Sequence, residues 1–140
     1  MTFNIIFFDL DATLYPESSG LWQIIRERID LYMQERLGLP VEKIPELRHD
    51  YFTRYGTTLK GLQANYDVDQ HDYLDFVHDL PLEERLAPDP QLRQMLLSLP
   101  HRRWVFSNSD HAHILRVLNR LGIADCFEGI IDIFDQAPYC

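Results

Sequence analysis

Short apolar runs that end in small polar residues alternate along this chain with segments whose apolar positions recur every three or four residues. Residues 4–8, "NIIFF", read as a buried strand, apolar on both faces. After "ATLYPESSG" comes "LWQIIRERIDLYMQERLG", in which Leu21, Ile25, Ile29, Tyr32, Met33 and Leu37 share one helical face. Ser18 or Ser19 stands where it can cap that helix, and Gly38 with Pro40 ends it. Further helices are predicted through "ELRHDYFTRYG", "TLKGLQANY" and "QHDYLDFVHDL", so residues 17–85 read as helical throughout.

The pattern changes at "RLAPDPQLRQMLLSLP". Pro88 and Pro90 mark the entry, Asp89 can cap, and Leu92, Met95, Leu96 and Leu99 form an apolar stripe. Residues 103–106 read as a second strand, "HAHILRVLNRLG" as an amphipathic helix stopped by Gly122, and "EGIIDIF" as a third strand. Strand, helix, strand, helix, strand with short connections predicts an α/β fold with a parallel sheet, its first crossover interrupted by the helical stretch 17–85.

Ligands of such sheets sit at the carboxyl ends of the strands. Asp9 and Asp11 follow the first strand; Ser107 and Asn108 follow the second, so the two pairs should be neighbours. Two close carboxylates repel unless a cation, a shared proton or a substrate offsets them. A hard divalent cation such as Mg2+ suits oxygen ligands of this kind. Ser107 and Asn108, just before a helix, offer hydroxyl, amide and backbone N–H groups to an anion. Acids for a metal opposite a cradle for an anion point to phosphate-ester chemistry, with one carboxylate attacking phosphorus and the other handling the protons. Each feature also has a plain structural use. "DLD" is ordinary turn and cap material, "SNSD" can serve only as a cap through Ser109 or Asp110, and Thr13 can bond its own turn. His111 and His113, two residues apart, read as surface residues. Lys60 reads as a solvated charge unless the helical segment folds over the site.

Composition narrows the partners. The 140 residues, 46% hydrophobic, suffice for one sizeable core with a small appended unit. A net charge of −9 without a basic tract argues against duplex nucleic acid and anionic membranes, while a small anionic substrate stays open. Cys126 and Cys140 form no CxxC pair and read as free thiols of a reducing compartment. With no signal-peptide pattern in "MTFNIIFFDL" and no spanning apolar run, the expectation is a soluble cytoplasmic protein.

"DLDAT" resembles the DxDxT signature of the haloacid dehalogenase-like hydrolase superfamily, and "FSNSD" is similar to its second motif. The helical insert resembles the superfamily's C1-type cap. In order along the whole chain, "DLDATLYP", "YGTTLKGL", "LAPDPQLRQMLLSLP", "SNSDHAHILRVLNRLGI" and "FEGIIDI" resemble the pyrimidine 5′-nucleotidase group. The resemblance implies a Rossmann-like core from residues 1–16 and 86–140 and a helical cap from 17–85. It implies Asp9 as the nucleophile that forms an aspartyl-phosphate. Asp11 would be the general acid and base, and both acids would serve Mg2+, Asp11 through its backbone carbonyl. Ser107 and Asn108 would hold the transferred phosphoryl group. Beside the resemblance, Thr13 is a further candidate on the phosphate side, and Lys60 is a candidate substrate contact if the helical segment packs over the site. The superfamily's dehalogenases lack an acid at the position of Asp11, so its presence favours a phosphatase, with nucleoside 5′-monophosphates or similar small esters as substrates. Ala12 falls where the family varies, often with Asn or Asp.

The same family pattern has a Lys after the third strand and an acidic pair after a fourth. Here "DQAPYC" ends the sequence, and the only lysines, Lys43 and Lys60, fall in the cap region. The expectation is therefore an incomplete core with weak or no turnover, or a binding or regulatory module of the same fold. A further expectation is self-association through the uncovered edge of the first strand. A phospho-accepting receiver domain would share the acidic strand end, but its elements alternate without a long insert.

Overall fold

The computed structural model describes residues 2–136. Its sheet has three parallel strands, β1 (Ile5–Phe8), β2 (Arg102–Phe106) and β3 (Gly129–Ile131), in the order β1-β2-β3. Phe8 lies opposite Val105 and Phe106 opposite Ile131, so the three carboxyl ends gather at one end of the sheet. Parallel neighbours cannot be joined by a tight turn and need a crossover. Between β1 and β2 run α1 (Leu21–Glu35), α2 (Ile44–Tyr55), α3 (Thr58–Asn65), α4 (Gln70–Val77), the single turn α5 (Leu82–Arg85) and α6 (Pro90–Ser98). Between β2 and β3 runs α7 (His111–Leu121). The α/β class with a parallel sheet is as expected.

The chain divides into two compact units, one made of Met1–Trp22 and Pro81–Cys140, the other of Gln23–Leu80. The second unit is helical, and the ends of its helices follow from local chemistry. Gly38, at φ 67°, closes the end of α1: its N–H donates to the Gln34 carbonyl and that of Leu39 to Met33, both at 3.1 Å. Thr57 Oγ1 accepts from the Lys60 N–H at 3.2 Å to start α3, and Asp69 accepts from the Asp72 N–H at 2.8 Å to start α4. Tyr32, Met33, Ile44, Leu62 and Tyr73 are buried in this unit. Arg28 lies over the Phe76 ring at 4.2 Å and donates to the Phe76 carbonyl. Gly61 meets Tyr51 so closely that no side chain fits between α3 and α2.

In the first unit Val105 of β2 and Ile114, Val117, Leu118 and Leu121 of α7 are buried. Trp104 lies across Gly129, its register partner on β3, where a Cβ would strike the indole ring. Three expectations need correction. β1 is not buried on both faces: Phe7 is 54% exposed, its ring edge-on to that of Phe106, itself exposed, at 6.4 Å. Among the described residues β1 pairs with β2 alone. An edge position and an open sheet face explain why an all-apolar strand is half wet. The stripe on α6 is narrower than predicted, because Leu96 is buried while Met95 is exposed. His113 is not a surface residue: it is 1% exposed and lies within the buried stripe of α7. Cys126 is a buried free thiol; Cys140 and the rest of 137–140 lie outside the described residues. Among the described residues no helix is long and apolar enough to cross a membrane.

Candidate functional site

The backbone turns as soon as β1 ends. The carbonyl of Leu10, a fully buried residue, accepts from the N–H groups of Thr13 and Leu14 at 3.1 and 3.0 Å. Ala12 is forced into the left-handed region at φ 59°, a conformation that an L residue with a Cβ adopts only at a cost of about 1–2 kcal/mol. Asn and Asp tolerate that region better than Ala. The turn separates the two acids. Asp9 stays exposed, with Oδ2 accepting from Thr13 Oγ1 at 3.0 Å and no described donor reaching Oδ1. Asp11 is turned inward.

Asp11 sits among three donors. Tyr15 O–H donates to Oδ1 at 2.8 Å, Ser109 O–H donates to Oδ2 at 2.8 Å, and His113 Nε2 lies 3.0 Å from Oδ1. Tyr15, Ser109 and His113 are all buried. Burial alone would push the Asp11 carboxyl up, but the hydrogen bond and charge of His113, joined by the Tyr15 and Ser109 donors, outweigh it and hold the group at about 2. Tyr15 is driven the other way: burial and the adjacent Asp11 carboxylate push its hydroxyl far above the ordinary tyrosine range. Asp11 is therefore a carboxylate whose two oxygens are both occupied, whereas Asp9 has an oxygen to offer.

The loop after β2 lies alongside. Ser107 is buried, its N–H donating to the Ile131 carbonyl at 3.0 Å and its Oγ accepting from the Ser109 N–H at 3.1 Å. Asn108 is exposed at the same strand end. Neither expected cap closes α7 through a side chain: Ser109 spends its hydroxyl on Asp11, and Asp110 at the N-cap position makes no cap bond. The segment after β3 buttresses this loop. Gln136 Nε2 donates to the Ser107 carbonyl at 2.8 Å, and the Ile133 N–H donates to the Ser109 carbonyl at 3.1 Å. Asp132 Oδ1 accepts from the N–H groups of Phe134 and Asp135, which curls the chain so that Gln136 can reach back.

The structure thus brings Asp9, Asp11, Thr13, Ser107 and Asn108 to the same end of the sheet. Lys60 stands in the first turn of α3, in the other unit, half exposed. Sequence reasoning passed over Tyr15, Ser109 as a partner of Asp11, His113 and Gln136. One signal was present: His113, Val117 and Leu121 recur at four-residue intervals on the face of α7 that also carries Ile114 and Leu118.

Among the described residues no three His, Cys, Asp or Glu side chains converge into a metal cage. Mg2+ does not need one, since it is held by one or two carboxylates and keeps several waters. The exposed Asp9 carboxylate, with one oxygen open, fits that requirement. The Asp11 carboxylate does not, so residue 11 can contribute only its backbone carbonyl.

Comparison with known proteins places the chain in a family. The chain is 34% identical over 136 residues to Phosphate metabolism protein 8 of Saccharomyces cerevisiae, covering 91% of this chain and 42% of that protein. It thus spans less than half the length of this curated relative. L-2-haloacid dehalogenase from Xanthobacter autotrophicus, solved with chloropropionic acid covalently bound, superimposes with a TM-score of 0.48 at 18% identity, over 96% of this chain and 58% of that one. A family model described as haloacid dehalogenase-like hydrolase matches residues 3–139, nearly the whole sequence, and the chain belongs to that family.

Proposed function

We propose that the chain carries the catalytic acids of a Mg2+-dependent phosphomonoester hydrolase working through an aspartyl-phosphate. The observation that carries this reading is the contrast between the acids: Asp9 exposed with an open oxygen, Asp11 buried and fixed two residues away. An exposed carboxylate can attack phosphorus in line, and a second acid held nearby can serve proton transfer. Asn108, Thr13 and the start of α7 would receive the phosphoryl oxygens, with Ser107 shaping the loop. Mg2+ would be held by Asp9 and the Asp11 carbonyl and would offset the charge between carboxylate and phosphate. The name of the yeast relative, which refers to phosphate metabolism, favours a phosphate ester. By motif resemblance the substrates are nucleoside 5′-monophosphates or similar small esters, and the helical segment 17–85 would be a cap that selects among them, with Lys60 a candidate contact. The reducing compartment expected from the cysteines would be the cytoplasm.

A second reading is a weakly active or inactive module of the same fold. It is favoured by the Asp11 carboxylate, whose two oxygens are both engaged by Tyr15, Ser109 and His113. Phosphate release from a panel of monophosphates, with Mg2+ and with EDTA, separates the two. The first reading expects turnover that EDTA removes and that Asp9→Asn abolishes. No release from any ester, or release unchanged by Asp9→Asn, rejects it.

A further inference from the structure

We propose that His113 is a positioning residue that fixes the orientation of the Asp11 carboxylate for proton transfer; the inference rests on the phosphatase reading above. Three donors hold Asp11, but they are not equivalent. Tyr15 belongs to the same turn and moves with the acid it bonds. Ser109 sits in the loop that carries Ser107 and Asn108. His113 alone stands on regular secondary structure, in the first turn of α7, with its ring enclosed and its neighbours Ile114 and Val117 in the core. A group on a packed helix is placed more firmly than one on a loop. Its Nε2, 3.0 Å from Oδ1, therefore ties the turn after β1 to the helix that follows β2.

The tie has a geometric consequence. Nucleophile and proton-transfer group must both address one substrate, and the start of α7 is where its phosphoryl oxygens are expected. By anchoring Asp11 to that helix, His113 sets the distance between the proton-transfer acid and the phosphate side of the site. Misplacing a catalytic group by about 1 Å can cost on the order of a hundredfold in rate. The requirement is for a hydrogen-bond donor at the Nε2 position on a rigid stem. Gln can place its amide nitrogen near that point without any ring; Leu fills the space and offers nothing.

The experiment compares the wild-type chain with His113→Leu and His113→Gln, each first shown to keep its circular dichroism spectrum. For hydrolysis of a small phosphate monoester, His113→Leu should lower kcat by about 10–100-fold with KM nearly unchanged, and His113→Gln should recover most of kcat. The χ1 rotamer of Asp11, from three-bond NMR couplings, gives a readout that needs no turnover: one rotamer in the wild type and in His113→Gln, averaged couplings in His113→Leu. A single rotamer in all three overturns the inference whether or not the chain is active. So does an unchanged kcat in His113→Leu when Asp9→Asn is dead. A wild type without turnover that still shows the rotamer difference instead counts against the phosphatase reading and leaves the positioning role supported.

Discussion

Replacing Asp11 with Asn should expose, through pH, how much the buried carboxylate contributes to the fold. A carboxyl that ionises at 3.8 without the fold is held at about 2 within it. Each pH unit between those values corresponds to about 1.4 kcal/mol, so the ionised group stabilises the folded chain by about 2 kcal/mol. The side chains of Asp11 and His113 are 10% and 0% exposed, so water does little to screen this term. Because the folded value lies below the unfolded one, the contribution is complete well above 3.8 and disappears as the pH falls through about 2. Asn keeps the shape but swaps one acceptor oxygen for a donor, which must then face Ser109 or the pair formed by Tyr15 and His113. Urea unfolding followed by tryptophan emission, in EDTA so that no cation adds to the titration, measures both proteins at steps from pH 5 to pH 2.5. The variant should be about 2 kcal/mol or more less stable at pH 5, and the gap should narrow steadily below pH 4. Two curves that stay parallel down to pH 2.5 would refute the reasoning, because the carboxylate could not then be held by its donors in the folded state.

Two further outcomes follow from packing. Gly61→Ala should destabilise the chain by about 1–3 kcal/mol although Ala favours helix, because its methyl group would overlap Tyr51 Cβ and Cγ; a raised urea midpoint would contradict the close approach of α2 and α3. The edge of β1, which has no second partner among the described residues, and the exposed rings of Phe7 and Phe106 should make the chain self-associate, with a molar mass by light scattering above 16.6 kDa that Phe7→Lys brings down towards it; a monodisperse monomer at high concentration would contradict that.

Much of the fold was legible because its signals are local. Asp89, Gly38 and Gly122 each end or begin a helix through bonds within a few residues, and the alternation of elements implied the parallel sheet. The two strand ends could be placed together because open parallel sheets gather their carboxyl ends. Less legible was anything decided by partners distant in sequence. The exposure of Phe7 depends on what flanks β1, and the pattern of "NIIFF" is the same whether that flank is covered or open. Asp9 and Asp11, two residues apart, could both point the same way off a strand terminus, but the strand ends at Phe8 and the turn at Ala12 rotates the second acid inward. His113 looked like a surface residue because its pairing was judged against His111, two positions away, and not against the apolar stripe it belongs to. A polar residue within a buried stripe needs a partner, and only the fold could reveal that the partner was Asp11.

The pairing of Ile5 with Arg102 also orders events in time. On a ribosome, β1 emerges well before β2, its only described neighbour, which is made after all the residues that lie between them. At about 5–20 residues per second that wait lasts roughly 5–20 s, long compared with the microseconds a helix needs to form. The helices of Gln23–Leu80 close short loops and depend on little that is distant in sequence, so they can be in place before β2 exists. Throughout that interval "NIIFF" stays an unpaired apolar strand next to the turn that will hold both acids. Conditions that lengthen the interval, such as slow codons before residue 102 or low temperature, should raise the share of nascent chains captured by chaperones through this segment. Setting the whole helical unit between two paired strands thus leaves a period in which β1 has to wait for β2.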